Sequence, residues 1–212
     1  MKQTKGVFVT GIGTEVGKTV VSALLVRALK ADYWKPVQSG DLHNTDTMKV
    51  TAWAGAAAGQ IHPERFRLNL PMSPHASAAD DGVQIRLEDF ELPQTDNFLV
   101  AEGAGGLHVP LNDHDCVIDL IQQLGLPVVL VSRHYLGSIN HTLLSVEALR
   151  HRNIPIAGLV FNGDPHPSTE SIIEKMTGIQ PLFRMGEMEA LTEPCFERQV
   201  QRVGAACKSL LG

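Results

Sequence analysis

The chain has little of what marks the more specialised protein classes. Its three cysteines, Cys116, Cys195 and Cys207, are scattered, odd in number and without C-x-x-C spacing. That speaks against a disulfide framework or a zinc site and leaves reduced core or surface thiols. Aromatic residues make up only 5% of the sequence. No apolar stretch reaches the ~18 residues of a membrane span. Residues 1–5 run directly into an apolar segment without a secretory pattern, so a cytoplasmic location is expected. Basic residues form no dense run, and the net charge is −5; neither nucleic acid nor an anionic membrane is an expected partner, and a metabolite fits better. G-x-S-x-G and H-E-x-x-H are absent, as is any evident Cys–His pairing, so nucleophilic or zinc catalysis has no support. The nine histidines are dispersed. His43, His62, His108, His114, His134, His141, His151 and His166 read as surface or loop polarity, and only His75 falls in a suggestive loop.

What is present centres on Gly11-Ile12-Gly13-Thr14-Glu15-Val16-Gly17-Lys18-Thr19, a glycine-punctuated turn between an apolar run over 6–10 and a helix-like run over 19–29. This is a P-loop. Its glycines let backbone N–H groups turn inward around a polyphosphate at the positive end of the following helix. The amides of Gly13, Thr14, Glu15, Val16 and Gly17 are the expected cradle, Lys18 adds charge at the β- and γ-phosphates, and the Thr19 hydroxyl is placed to hold Mg²⁺. The first glycine of the usual G-x-x-x-x-G-K-[ST] pattern would fall on Ile12; here Gly11 stands one residue further out.

The rest of the chain alternates strand and helix. Strands are expected over 33–37, 97–101, 127–132, 154–161 and 181–183, and helices over 48–58, 137–150 and 193–211. Such alternation over 212 residues implies a single α/β domain spanning 1–212, with a doubly wound, mostly parallel sheet flanked by helices. Residues 60–94 carry the weakest signals; Pro71-Met72-Ser73-Pro74-His75 reads as an ordered loop, and Asp80-Asp81 and Glu88-Asp89 as solvated faces.

Several residues stand where such sheets build their sites. Lys35 falls near a strand end. Asp46 precedes a helix, as an N-cap or first-turn acid would. Glu102 ends a strand, which is the Walker B logic for a Mg²⁺ ligand with Glu in place of Asp, and Gly103-Ala104-Gly105-Gly106 lets a ligand approach the backbone. Guanine is disfavoured because Asn162-Gly163-Asp164-Pro165 lacks the lysine of N-K-x-D. The Asn162 carboxamide matches the N6/N7 edge of adenine, or else shapes a turn.

The ordered set Val9-Thr10-Gly11-x-x-Thr14-Glu15-Val16-Gly17-Lys18-Thr19, Lys35-Pro36-Val37-x-Ser39-Gly40, Ser73-Pro74-His75, Glu102-Gly103-Ala104-Gly105-Gly106 and Leu136-Gly137-x-Ile139-Asn140-His141 resembles the dethiobiotin synthetase family over essentially the whole chain. In that family the extra loop residue is normal. The resemblance implies a P-loop NTPase fold and an ATP-dependent ligase of biotin biosynthesis that closes the ureido ring of dethiobiotin from diaminopelargonic acid, CO₂ and MgATP. It implies Thr19, Asp46 and Glu102 as Mg²⁺ ligands, Lys18 and the loop amides as phosphate cradle, and Asn162 as adenine contact. It places Thr14, Lys35 and Ser39 at the substrate's reacting end, with Gly105 nearby, and makes Lys18, Lys35 and Thr14 the catalytic set. It further implies a homodimer with shared active sites. The far carboxylate of the substrate then lies at the partner's helix start, Gly137-Ser138-Ile139-Asn140, where free N–H groups suit an anion; without the dimer this is an ordinary helix cap. One departure is Gly11-Ile12-Gly13-Thr14 where the family usually reads Gly-Thr-Asp-Thr, which removes a carboxylate beside the phosphates. Two other readings stand beside it: a P-loop switch ATPase of the MinD/ParA kind, against which the loop start lacks an additional lysine and the tail is neither basic nor amphipathic, and an amidoligase-type relative acting on another carboxylate.

Overall fold

The computed structural model describes residues 4–186, 188 and 192–211; the first three residues of the expected leaderless start lie outside them. Strand β1 (Gly6–Gly11) leads through the glycine-rich loop into α1 (Lys18–Leu29), followed by β2 (Asp32–Trp34), β3 (Val37–Ser39) and α2 (Asp46–Ala54). Then come β4 (Ile61–His62), β5 (Phe66–Leu68), α3 (Pro74–Asp80), β6 (Leu99–Gly106), α4 (Val117–Leu124) and β7 (Val128–Arg133). The chain continues with α5 (Ser138–His151), β8 (Ile156–Asn162), α6 (Pro167–Thr177), β9 (Pro181–Met185) and α7 (Glu193–Lys208).

Seven strands form one sheet in the order β4-β2-β6-β1-β7-β8-β9, and every neighbouring pair is parallel. Side chains alternate along each strand, so β1 feeds two apolar layers at once. Val7 and Val9 pack with Leu24 of α1, Val50 of α2 and Phe196 of α7. Phe8 faces the other way, into the layer of Ile118 from α4, Val146 from α5 and Ile173 from α6. A sheet covered on both faces is the doubly wound arrangement the alternation implies.

Four expectations change. The strand expected over 33–37 breaks at Pro36, which has no N–H to continue a ladder. The chain leaves the main sheet there, and β3 pairs with β5 in a separate two-stranded sheet. The helix expected over 48–58 starts at Asp46 and gives way at Gly55, whose φ is +60°, to a 3₁₀ turn over Gly55–Ala57. Two histidines expected as surface polarity are enclosed: His62 Nε2 lies 3.0 Å from Asp32 Oδ2, and His134 Nε2 lies 3.1 Å from Glu170 Oε1. Asp81 and Asp89 are not merely solvated, since they accept from the backbone N–H groups of Asn69 and Arg86. The three cysteines are free, and burial pushes the Cys207 thiol up to about 12. Among the described residues, no helix is long and apolar enough to cross a membrane.

Candidate active site

The loop lies at the C-terminal end of β1, the sheet's middle strand, where parallel α/β sheets open their crevices. Two of its glycines are dictated by close approach. A Cβ on Gly11 would stand 2.4 Å from Val16 Cγ2. Gly17 has φ +98°, and a Cβ there would stand 2.3 Å from Asn162 Nδ2. Asn162 itself donates from Nδ2 to the Val16 carbonyl at 2.8 Å, and Arg133 Nη1 donates to the Glu15 carbonyl at 3.3 Å. The loop is thus tied to the ends of β7 and β8. Lys18 Nζ folds back onto the Gly13 carbonyl at 2.9 Å. Burial, then the nearby cation of Lys35, lowers the Lys18 pKa to about 8. The N-cap Gly17 supplies no side-chain hydrogen bond to the first turn of α1, an arrangement that suits an anion at the helix end.

Beside the loop, five side chains converge. Thr19 Oγ1 donates to Glu102 Oε1 at 2.9 Å, and Lys35 Nζ lies 3.2 Å from the same oxygen and 2.7 Å from Asp46 Oδ2. Tyr33 donates its hydroxyl to Glu102 Oε2 at 2.9 Å. Asp46 is not the N-cap of α2; Thr45 is, accepting from the Met48 N–H at 3.1 Å. Asp46 sits in the first turn instead, its N–H held by Gln38 Oε1 at 3.1 Å, which aims the carboxylate at Lys35. Burial opposes charge on both partners. For Lys35 the carboxylates of Glu102 and Asp46 outweigh burial and raise the ammonium pKa; for Asp46 the Lys35 cation outweighs it and lowers the carboxyl. Both stay ionised at neutral pH.

These groups border a cleft of about 670 Å³. Thr14, Glu15, Gly17, Lys18 and Thr19 line it from the loop, together with Lys35, Ser39, Asp46 and Gly105. Glu102 and Val16 are buried behind that lining. The Ser39 hydroxyl is buried without a hydrogen-bond partner among the described residues. Gly13 lines a second groove, along α5, and Asn162 stands behind Gly17 rather than in the cleft. His75 hydrogen-bonds Ser73 and faces elsewhere. Gly137, Ser138, Ile139 and Asn140 also lie outside the cleft; Ser138 is buried and Asn140 exposed. Sequence reading missed Tyr33 and Gln38. Tyr33 had a signal, because it stands two residues before Lys35 on a strand and so shares its face.

The donor set suits a hard divalent cation. Magnesium takes one or two carboxylates and completes its shell with waters and phosphate oxygens, and Thr19, Asp46 and Glu102 offer hard oxygen donors next to the glycine-rich loop. Among the described residues there is no cluster of three or more His, Cys, Asp or Glu ready to hold a metal without such help.

Comparison with known proteins decides the lineage. A family model described as an AAA domain matches residues 5–194. The ATP-dependent dethiobiotin synthetase BioD of Christiangramia forsetii is 51% identical over 196 residues, covering 92% of this chain and 92% of the relative. The chain belongs to the ATP-dependent dethiobiotin synthetase family. Synthetases of Cytophaga hutchinsonii and Rhodopseudomonas palustris are 49% and 50% identical, each covering 89% of this chain and 92% and 90% of their own. Solved structures extend the likeness of this synthetase-family chain in fold alone. A putative plasmid partition protein from Borrelia burgdorferi, bound to AMPPNP, aligns with TM-score 0.63 at 12% identity over 98% of both chains. A chain of the MinC:MinD cell division protein complex of Aquifex aeolicus aligns at TM-score 0.58 and 9% identity, over 98% of this chain and 96% of that one. At such identities the sheet is shared and the switch-ATPase reading gains nothing further, while relatives near 50% identity favour the synthetase.

Proposed function

We propose that the chain is an ATP-dependent cyclo-ligase that makes dethiobiotin from diaminopelargonic acid, CO₂ and ATP with Mg²⁺, working as one P-loop α/β domain in the cytoplasm. The observation that carries this is the single cleft in which Lys18 and the open end of α1 face Lys35 and the unpaired Ser39 hydroxyl. A substrate amine captures CO₂ as a carbamate; a carbamate oxygen attacks the γ-phosphorus and releases ADP. The second amine then attacks the activated carbonyl carbon, phosphate leaves, and the ring closes. No enzyme nucleophile is required, only alignment of two anions that repel each other.

The residues divide that task. Lys18 and the amides of Gly13, Thr14, Glu15, Val16 and Gly17 hold the phosphates. Lys35 offsets the carbamate charge, while the hydroxyls of Thr14 and Ser39 orient the reacting end against the backbone at Gly105. Thr19, Asp46 and Glu102 hold Mg²⁺, which supplies charge neutralisation at the phosphates. Asn162 keeps Oδ1 and its second N–H for the adenine edge while fixing the loop.

The homodimer with shared sites draws support from the surface of α5. Leu136, just before α5, is fully exposed; Leu144 on the helix is half-exposed and lines a groove of about 760 Å³ together with Ile12, Leu107 and Val109. An apolar face of this kind suits a second copy, whose Gly137-Ser138-Ile139-Asn140 helix start then supplies an anion site for the far carboxylate of the substrate. Incorporation of ¹⁴C from bicarbonate into acid-stable dethiobiotin tests the reaction: label incorporated only with ATP and diaminopelargonic acid supports it, and no labelled product from active, folded protein rejects it.

A further inference from the structure

Glu102 is held at both carboxylate oxygens, from different directions. Oε1 takes Thr19 and Lys35, the groups nearest the phosphate loop; Oε2 takes the hydroxyl of Tyr33 at 2.9 Å. Tyr33 lies opposite Val100 in the β2–β6 register, one pleat short of Glu102, so its ring rises along the same face toward the carboxylate. It is wholly buried, in the layer that holds Val9, Leu24 and Val100. A phenylalanine would fill that layer equally well, and a phenol belongs there only if its hydroxyl is paired. Burial, together with the Glu102 charge, raises the phenol well above its ordinary pKa, so the hydroxyl remains a donor at any working pH.

We propose that Tyr33 is a positioning residue for the divalent cation: by taking Oε2 it fixes the rotation of the Glu102 carboxylate and keeps Oε1 turned toward Thr19 and the phosphate end of the cleft. This rests on the reading of Glu102 as a metal ligand. Hydrogen bonds behind a ligand commonly set its orientation, and losing one typically weakens metal binding roughly 10–100-fold. The Tyr33 hydroxyl donates to Glu102 while Lys18 Nζ donates to the Gly13 carbonyl, so nucleotide held without metal should not register the loss of the hydroxyl.

The test is Mn²⁺ binding to the ADP complex, followed by electron paramagnetic resonance, in wild type, Tyr33→Phe, Glu102→Gln and the double variant, with ADP affinity in EDTA as the companion measurement. The expected result is Mn²⁺ affinity lowered roughly 10–100-fold in Tyr33→Phe with ADP affinity in EDTA unchanged, and no further loss when Tyr33→Phe is added to Glu102→Gln. Wild-type Mn²⁺ affinity in Tyr33→Phe overturns the proposal while leaving Glu102 as a ligand if Glu102→Gln is impaired. A full Tyr33→Phe loss that persists on top of Glu102→Gln also overturns it, because the hydroxyl then acts through something else. Wild-type affinity in Glu102→Gln removes the ligand reading itself, and the proposal with it. Should Tyr33→Phe fail to fold because Oε2 is stranded, the double variant, in which the Glu102 anion is gone, carries the comparison with Glu102→Gln: equal Mn²⁺ affinity supports the proposal and a further loss overturns it.

Discussion

Lys35 Nζ lies 2.7 Å from Asp46 Oδ2, a contact that joins the end of the β2 segment to the first turn of α2 inside the cleft. With Glu102 on its other side, the lysine is enclosed by two carboxylates and only 3% exposed. The pairing gives Lys35 a different task from Lys18, whose Nζ rests on a loop carbonyl. Lys35→Gln should lower kcat by about 10²–10³-fold, the usual cost of removing one preorganised donor, with little change in nucleotide affinity. Isothermal titration with ADP separates the two lysines: an affinity loss as sharp as that of Lys18→Ala would move Lys35 into the phosphate cradle.

Lys18→Ala should abolish turnover while the fold survives, since its charge-assisted contact to phosphate is worth ~1.5–3 kcal/mol before transition-state charge is counted. A variant with wild-type kcat and an unchanged circular dichroism spectrum would mean that phosphates bind elsewhere.

Lys18 also carries a pH signature in the nucleotide-free protein. Burial lowers its pKa from the ordinary 10.5 to about 8. Between those values the unfolded chain binds more protons than the native one, so the lysine's contribution to stability rises with pH as the cost of a buried charge is relieved. Lys18→Met lacks this dependence. Its stability relative to wild type should be greatest below pH 8 and decline toward pH 10.5. Urea unfolding across that window checks it; a difference that stays constant or grows contradicts it.

Asn162 serves the loop through Val16 and, in the proposed reading, the adenine edge as well. Asn162→Ala should therefore weaken binding of both ATP and inorganic triphosphate, and ATP by the larger factor. Equal losses would leave Asn162 with the loop alone.

Shared sites are open to complementation. Ser138 is buried and tolerates no added charge, whereas Asn140 is exposed at the same helix start. Lys18→Ala and Asn140→Glu subunits, each inactive alone, should regain activity when exchanged, because one of the two sites in a mixed dimer then carries neither change. Mixed dimers that demonstrably form and stay inactive would refute the arrangement.

Much of this molecule can be read locally. Val7, Phe8 and Val9 announce a strand buried on both faces, and Gly17-Lys18-Thr19 announces the loop turn and the helix behind it. Helix α4, absent from the expected helices, carries an equally legible signal: Val117, Ile118, Leu120, Ile121 and Leu124 repeat at helical spacing and are all buried. Helix α6 opens with Pro167 at its first position, a usable start signal. The region 60–94 resists for a different reason. Strands β4 and β5 have two and three residues, too short for any period to show. The enclosure of His62 and His134 is hidden too, because Asp32 and Glu170 lie 30 and 36 residues away, one on a neighbouring strand and the other on α6, and only the fold brings each pair together. At the site, Thr19 and Glu102 could be placed by motif, but the turning of Asp46 toward Lys35 depends on Gln38 and Thr45, which no motif names.

ADP release, measured with diaminopelargonic acid and CO₂ each omitted in turn, bears most directly on the reaction. If the carbamate is the phosphoryl acceptor, turnover requires both, and leaving out either reduces it to background. ATP hydrolysis that proceeds at the same rate without them would contradict the synthetase assignment.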